Sequence, residues 1–199
     1  MCRAPYLLFL ALLPSLAAAQ EPRNTTRSEF EATAAQDAVQ FNYLTTAPFQ
    51  QVRSDFNYGV LFSDNRDLVG SAAWLLNTNI RPTSRLRFNI GPEAYLAKLN
   101  TGNSGAFAVA LTANARYELV RRLNTSLYGS ASYAPHVLMF GSANNVTDFS
   151  AGAEVRFAPR LSVLAGYRWF NFKFPGGVPD DRIQNSVFAG IRWDLNRRE

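Results

Sequence analysis

The sequence predicts an all-β protein, a closed antiparallel up-and-down transmembrane β-barrel of eight to ten strands. Three observations predict it: strands with one apolar and one polar parity, turn signals at regular intervals between them, and an export signal in front of them. The segment Val146 to Phe157 shows the first most clearly. Its odd positions after Val146 read Thr147, Phe149, Ala151, Ala153, Val155 and Phe157, and its even positions read Asp148, Ser150, Gly152, Glu154 and Arg156. Alternate side chains of a strand point to opposite faces, so this is a sheet with one apolar and one polar face. The charges lie in mid-strand, so the polar face is not a frayed end.

The export signal occupies residues 1–19. Arg3 supplies the charged start, Tyr6 to Leu16 the apolar run, and Ala17-Ala18-Ala19 the small-residue site that predicts cleavage between Ala19 and Gln20. The run is too short for a permanent spanning helix, and no later stretch reaches the about 20 apolar residues such a helix needs. Cys2, inside the signal, is the only cysteine, so the expectation is a mature protein without thiols, disulfides or a cysteine metal site. About 180 residues then remain, ample for one domain. Residues 20–28 read as a polar N-terminal segment and 29–199 as the barrel. The net charge of +5 and the pI of 9.7 raise nucleic acid as a partner. The arginines, however, are spread through strands and turns rather than along one helix face, which argues against it. Outer-membrane lipid and lipopolysaccharide are the partners such an exported chain predicts, as a monomer in the bacterial outer membrane.

The strands follow in order. Residues 53–63, 67–77, 84–98, 105–119, 123–134, 145–157, 160–173 and 183–195 give eight. Ala38 to Leu44, which alternates Val39, Phe41 and Tyr43 against Gln40 and Asn42, adds a ninth, and Glu29 to Thr33 pairs with it as a tenth. Either count is even, as an antiparallel closure requires. Working back from the C-terminus, the connections alternate. Phe174 to Asp181 is long, Ala158-Pro159 tight, Pro135 to Asn144 long, Val120 to Arg122 tight and Asn100 to Gly105 longer. Short periplasmic turns and long outer loops then place both ends of the strand array in the periplasm.

A soluble lipocalin-like barrel turns its apolar face inward around a ligand, and a membrane barrel turns it outward. Aromatic placement favours the second. On the apolar parity stand Phe107, Tyr117, Tyr133, Phe149, Phe157, Trp169 and Trp193, with Val109, Leu111, Ala113, Ala115, Ala151, Ala153, Val187, Ala189 and Ile191 between. Pairs spaced eight to ten residues apart project to roughly 20–25 Å at about 3.3 Å per residue and a tilt of about 40°, close to the height of an apolar band between two aromatic girdles.

The polar parity carries Arg116, Glu118, Glu154, Arg156, Arg168, Arg192 and Asp194, with Asn114, Ser126, Ser130 and Ser132. In a small barrel these line the lumen. Mixed signs predict ion pairs, with Arg168 and Arg192 within reach of Glu154 and Arg156. Three readings stay open: a structural ion network filling a narrow lumen, a polar conduit for small solutes, and the wet outer surface of a soluble barrel.

The chain resembles the YfaZ family of small Gram-negative outer-membrane proteins. The signal peptide, Ser132-Tyr133-Ala134-Pro135 followed by Val137-Leu138, Leu161 to Trp169, Val187 to Trp193 and, more weakly, Ala38 to Tyr43 carry the resemblance. It implies an outer-membrane barrel and supplies no catalytic residues. Barrels of this kind commonly end on an aromatic read by the barrel-assembly machinery. Here Asn196 to Glu199 follow Leu195, so the insertion signal is expected to be internal, centred on Trp193 and Leu195.

Catalytic patterns are sparse. His136, the only histidine, follows Pro135 in an expected outer loop, where Ser142 is its one candidate partner and no carboxylate is placed to orient the imidazole. Asp180-Asp181 reads as a hydrated turn rather than a cation or acid/base site. Asp64, Asn65 and Asp67 form a hairpin turn, and Gly129, Gly152 and Gly166 fall inside strands, where they ease packing. The expectation is a structural envelope barrel with at most narrow solute passage, without a cofactor and not an enzyme. A periplasmic lipid-binding barrel and a loop-based lipid-modifying enzyme are the alternatives.

Overall fold

The computed structural model describes residues 26–49, 52–77, 85–100, 104–120, 124–174 and 181–196. The signal peptide, the cleavage site at Ala19 and Gln20, and Asp180 lie outside them. Eleven strands run in order: β1 Arg27–Ala35, β2 Ala38–Phe49, β3 Val52–Ser63, β4 Leu68–Asn77, β5 Leu86–Leu99, β6 Ser104–Val120, β7 Thr125–Ala134, β8 Met139–Gly141, β9 Asn145–Ala158, β10 Leu161–Lys173 and β11 Asp181–Asp194. Every pairing is antiparallel, and β1 returns to β11 through Glu29↔Asp194 to Ala35↔Phe188, which closes the barrel. Closure leaves no unpaired sheet edge. Ten strands form the wall, so the higher of the two expected counts holds.

The eleventh strand is a fragment of one stave. β6 pairs with β7 from Val120↔Thr125 to Leu111↔Tyr133 and then with β8 at Ala108↔Met139, Phe107↔Phe140 and Ala106↔Gly141. Between them Pro135 has no N–H to give the ladder, and His136–Leu138 turn out of the wall as a 3-10 turn. Gly141 ends the excursion with φ at +107°, and a Cβ there would lie 2.4 Å from the Gly105 carbonyl oxygen. Only glycine meets both conditions.

One end of the barrel carries the turns 36–37 and 64–67 and the connections after β5, β8 and β10; we call it the loop end. The other, the terminal end, carries Thr26, Leu195 and the connections after β2, β4, β6 and β9. Both ends of the strand array therefore lie on one side, as an even stave count dictates. The alternation of turn length is confined to the C-terminal half. On the β1–β4 side the loop end has tight turns, with Ser63 N–H bonded to Asp67 O at 3.0 Å, and the longer β4–β5 connection is at the terminal end. Within that turn the Asn65 N–H donates to the Ser63 hydroxyl at 3.2 Å, and Asp67 accepts from the Asn100 N–H at 2.7 Å; Asp37 ties its own turn to the Asn185 N–H and the Ser186 hydroxyl of β11.

The two faces separate as the alternation dictates. Large apolar side chains cover the outside, among them Val187 at 71% exposure, Leu111 at 61% and Phe157 at 60%. The large apolar side chains of this parity therefore form the outer wall and do not line the lumen.

Candidate functional site

The lumen is the only place where the described chain brings its ionisable side chains together, and it has two unlike halves. Toward the loop end the inner positions are apolar: Leu61, Val69, Tyr95, Ala97, Leu99, Ala106, Ala108, Ala110, Ala134, Met139, Val146, Phe170, Phe172 and Ile183 form one buried cluster. Its aromatic centre is a run of three rings, Tyr95 to Phe170 at 5.5 Å and Phe170 to Phe172 at 5.4 Å between centroids. The cluster fills the bore as a hydrophobic core fills a soluble domain. Sequence reasoning expected a polar lumen throughout and missed it. The available signal was the loss of alternation in Ala106 to Leu111, where both parities are apolar.

Toward the terminal end the lining turns polar, and the charges form a connected network. Arg192 of β11 bonds Glu31 of β1 (Nε to Oε2, 3.0 Å) and Glu154 of β9, which also accepts from Arg116 of β6 at 2.8 Å. Glu31 accepts from Asn42 at 3.0 Å, and Asn42 accepts from Gln40 at 2.9 Å. Gln40 in turn accepts from Arg168, whose guanidinium holds Asp148 through two bonds, Nε to Oδ1 at 2.9 Å being one. Tyr95 donates to Asp148 at 3.3 Å, and Phe170 lies 4.9 Å under the Arg168 guanidinium, so this pair is the floor on which the apolar half rests. Glu93 forms no ion pair among the described residues; it accepts from Thr112 at 2.7 Å and from Ser132 at 3.0 Å. Buried ions persist only when paired and hydrogen-bonded in this way.

Of the residues singled out from sequence, Arg116, Glu154, Arg168 and Arg192 enter this network. Arg168 pairs with Asp148 rather than with Glu154, because Arg168 stands opposite Ser150, one lumen step from Asp148, in the β9–β10 register. Glu118 pairs with Arg87 at 3.2 Å and Asp194 with Arg27 at 3.2 Å, both at the terminal rim. Arg156 lies on the same inner parity without an ion-pair partner among the described residues. Phe107, Tyr117, Tyr133, Phe149, Phe157 and Trp193 are exposed on the outer wall, and Trp169 is half-buried there. Glu29, Glu31, Glu93 and Asp148 were not singled out. Each sits on the polar parity of its strand, which was signal enough to find them.

Two glycines shape the inner wall. A Cβ on Gly152 would stand 2.6 Å from the Tyr128 hydroxyl, and one on Gly166 would stand 2.9 Å from Phe188 Cζ. Each leaves a dent into which a large side chain of the next strand lies, consistent with the packing role expected for them. His136 and Ser142 are exposed, and the described residues hold no cluster of three or more potential metal ligands.

Within the charged half lies a cavity of about 370 Å³. It runs from the exposed rim arginines Arg53 and Arg87 inward to Glu93, Asp148 and Arg168.

A closed, ten-stave antiparallel barrel with an apolar outer wall and its ions turned inward is an outer-membrane-type β-barrel. A family model described as "YfaZ precursor" matches residues 11–195. The chain belongs to the YfaZ family. No curated protein matches it. Among solved structures, one titled "Bacterial polysaccharide outer membrane secretin" is similar at a TM-score of 0.45 and 11% identity, over 81% of this chain and 57% of that one. A second, "Outer-membrane expressed OmpT of Vibrio cholerae", gives 0.43 and 12%, over 79% of this chain and 56% of that one. The chain spans a little over half the length of these structures.

Proposed function

We propose that the protein resides in the bacterial outer membrane as a structural envelope barrel that does not conduct solutes. Its outer wall contacts lipid and lipopolysaccharide, and the barrel-assembly machinery inserts it. The observation that carries this reading is the aromatic and alanine cluster across the loop-end half of the bore. A pore needs a continuous wet path, and here Tyr95, Phe170 and Phe172 stand across it, each at most 1% exposed. The charged half supports the same reading, because Arg116, Arg168 and Arg192 are held by carboxylates rather than left to a passing ion.

Planar-bilayer recording of the full mature protein tests this. The wild type is expected to give no steady channel, and Phe170→Ala with Phe172→Ala is expected to give small conducting events. Steady wild-type channels of general-porin size would overturn the reading.

A further inference from the structure

We propose that the cavity in the charged half is a binding site for a neutral, polyhydroxylated ligand, a saccharide unit, entering from the terminal end. The inference rests on the cavity and not on the absence of conduction.

Two parts of the cavity wall differ in chemistry. The β9–β2 side carries the ion network, and there each cation is consumed by a carboxylate: Arg168 by Asp148, and Arg192 by Glu31 and Glu154. An incoming ion finds little unspent charge on that side, and ordering it there would mean breaking a buried pair. The β3–β7 side carries amides and hydroxyls, Asn57, Ser71, Asn89, Asn114, Tyr128 and Ser130, beside charges that are again mostly engaged: Arg87 with Glu118, Arg116 with Glu154, Asp55 with Asn89, and Glu93 with Thr112 and Ser132, while Arg53 stands at the exposed rim. Several of the amide and hydroxyl atoms have no partner. Asn57 Oδ1, Asn89 Oδ1 and the Tyr128 hydroxyl are all buried and unbonded, although Asn89 Nδ2 is fixed on Asp55 at 2.6 Å.

A buried polar atom without a partner costs about 1–3 kcal/mol, and these three atoms lie just behind the cavity surface, so each gains by a side-chain turn that brings it to an occupant able to supply the missing bond. The sites call for both kinds of bond: amide oxygens accept, and the tyrosine hydroxyl donates or accepts. A sugar hydroxyl does both at each carbon, which a carboxylate or an ammonium group does not. The volume, about 370 Å³, falls within the range of small-molecule sites, about 300–1,000 Å³. Phe56, Tyr128 and Phe188 add apolar surface to the lining for the carbon faces of a ring.

Detergent-folded full-length mature protein is titrated with maltose, with glucuronate and with lysine by calorimetry, and folding is followed by heat-modifiable gel mobility. Saturable maltose binding is expected, weakened at least 10-fold by Asn57→Leu or Asn89→Leu, with glucuronate and lysine each binding more weakly than maltose. Tyr128→Phe, which keeps the ring and the fold, is expected to weaken maltose several-fold. Absence of saturable maltose binding would mean that water alone fills the cavity, and would overturn the proposal. So would tighter binding of either charged probe, or maltose binding unchanged in all three folded variants.

Discussion

The two halves of the lumen solve the same problem in opposite ways. Both must fill the inside of a ten-stave barrel with side chains. The loop-end half uses Tyr95, Phe170, Phe172, Ile183 and a set of alanines, whose packing tolerates small change and needs no partner of particular charge. The terminal-end half uses arginines and carboxylates linked into one network, in which each member depends on the next. What the difference teaches is that apolar filling seals and ionic filling holds shape around a cavity. A guanidinium held by two carboxylates keeps its position without occupying all the space around it.

The sharpest way to break this contrast is to remove the hub of the network. Arg192 side-chain exposure is 7% and that of Glu154 is 4%, so Arg192→Met leaves Glu31 and Glu154 buried with their main cation gone. The expected loss of folding free energy is about 3–5 kcal/mol, read by urea unfolding from lipid vesicles. The triple change Arg192→Met, Glu31→Gln, Glu154→Gln removes these three charges together, leaves only the partly exposed Arg116 without its carboxylate, and is expected to recover most of that loss. A single variant as stable as wild type would show that the network carries no structural weight.

A second test sets the inner wall against the outer within the middle of β9. Ala153 faces outward and Ser150 lines the cavity. On folding into a bilayer, Ala153→Arg is expected to cost about 2–4 kcal/mol, with Ser150→Arg tolerated better because it meets water and carboxylates. Equal tolerance would undo the assignment of the outer wall to lipid.

The smallest effect belongs at the rim. Arg87 and Glu118 are 48% and 35% exposed, so Arg87→Ala should change stability by less than about 1 kcal/mol. A loss as large as that of Arg192→Met would mean that the network extends to the mouth.

Much of this was legible in the sequence. The staves follow from period-two alternation, and most strand ends fall within two residues of where Gly, Pro, Asn and Asp place them. Arg116, Glu154, Arg168 and Arg192 were visible as charges on the inner parity. The apolar half of the lumen was not, because in Ala106 to Leu111 both parities are apolar and alternation does not say which one faces inward; Phe170 and Phe172 instead stand on the parity of Arg168, with polar Asn171 between them. The partner of Arg168 was hidden for another reason. Pairing across a barrel depends on register, and the one-step offset between Arg168 and Asp148 is fixed only once β9 and β10 are aligned. The 3-10 turn at His136–Leu138 shows at the level of sequence only as Pro135, which signals a break without saying that β8 resumes the same stave.

The division of the lumen can be measured directly, because Cys2 lies in the predicted signal and the mature chain has no other thiol. Single cysteines are placed at Ser130 and Ser150 in the charged half and at Ala108 and Ala110 in the apolar half, and the folded barrels in vesicles are treated with a membrane-impermeant maleimide. The account predicts that Ser130→Cys and Ser150→Cys label rapidly, and that Ala108→Cys and Ala110→Cys stay unlabelled until the protein is denatured. Rapid labelling of Ala108→Cys or Ala110→Cys in the folded barrel would contradict it, since water would then cross the half of the bore described as sealed.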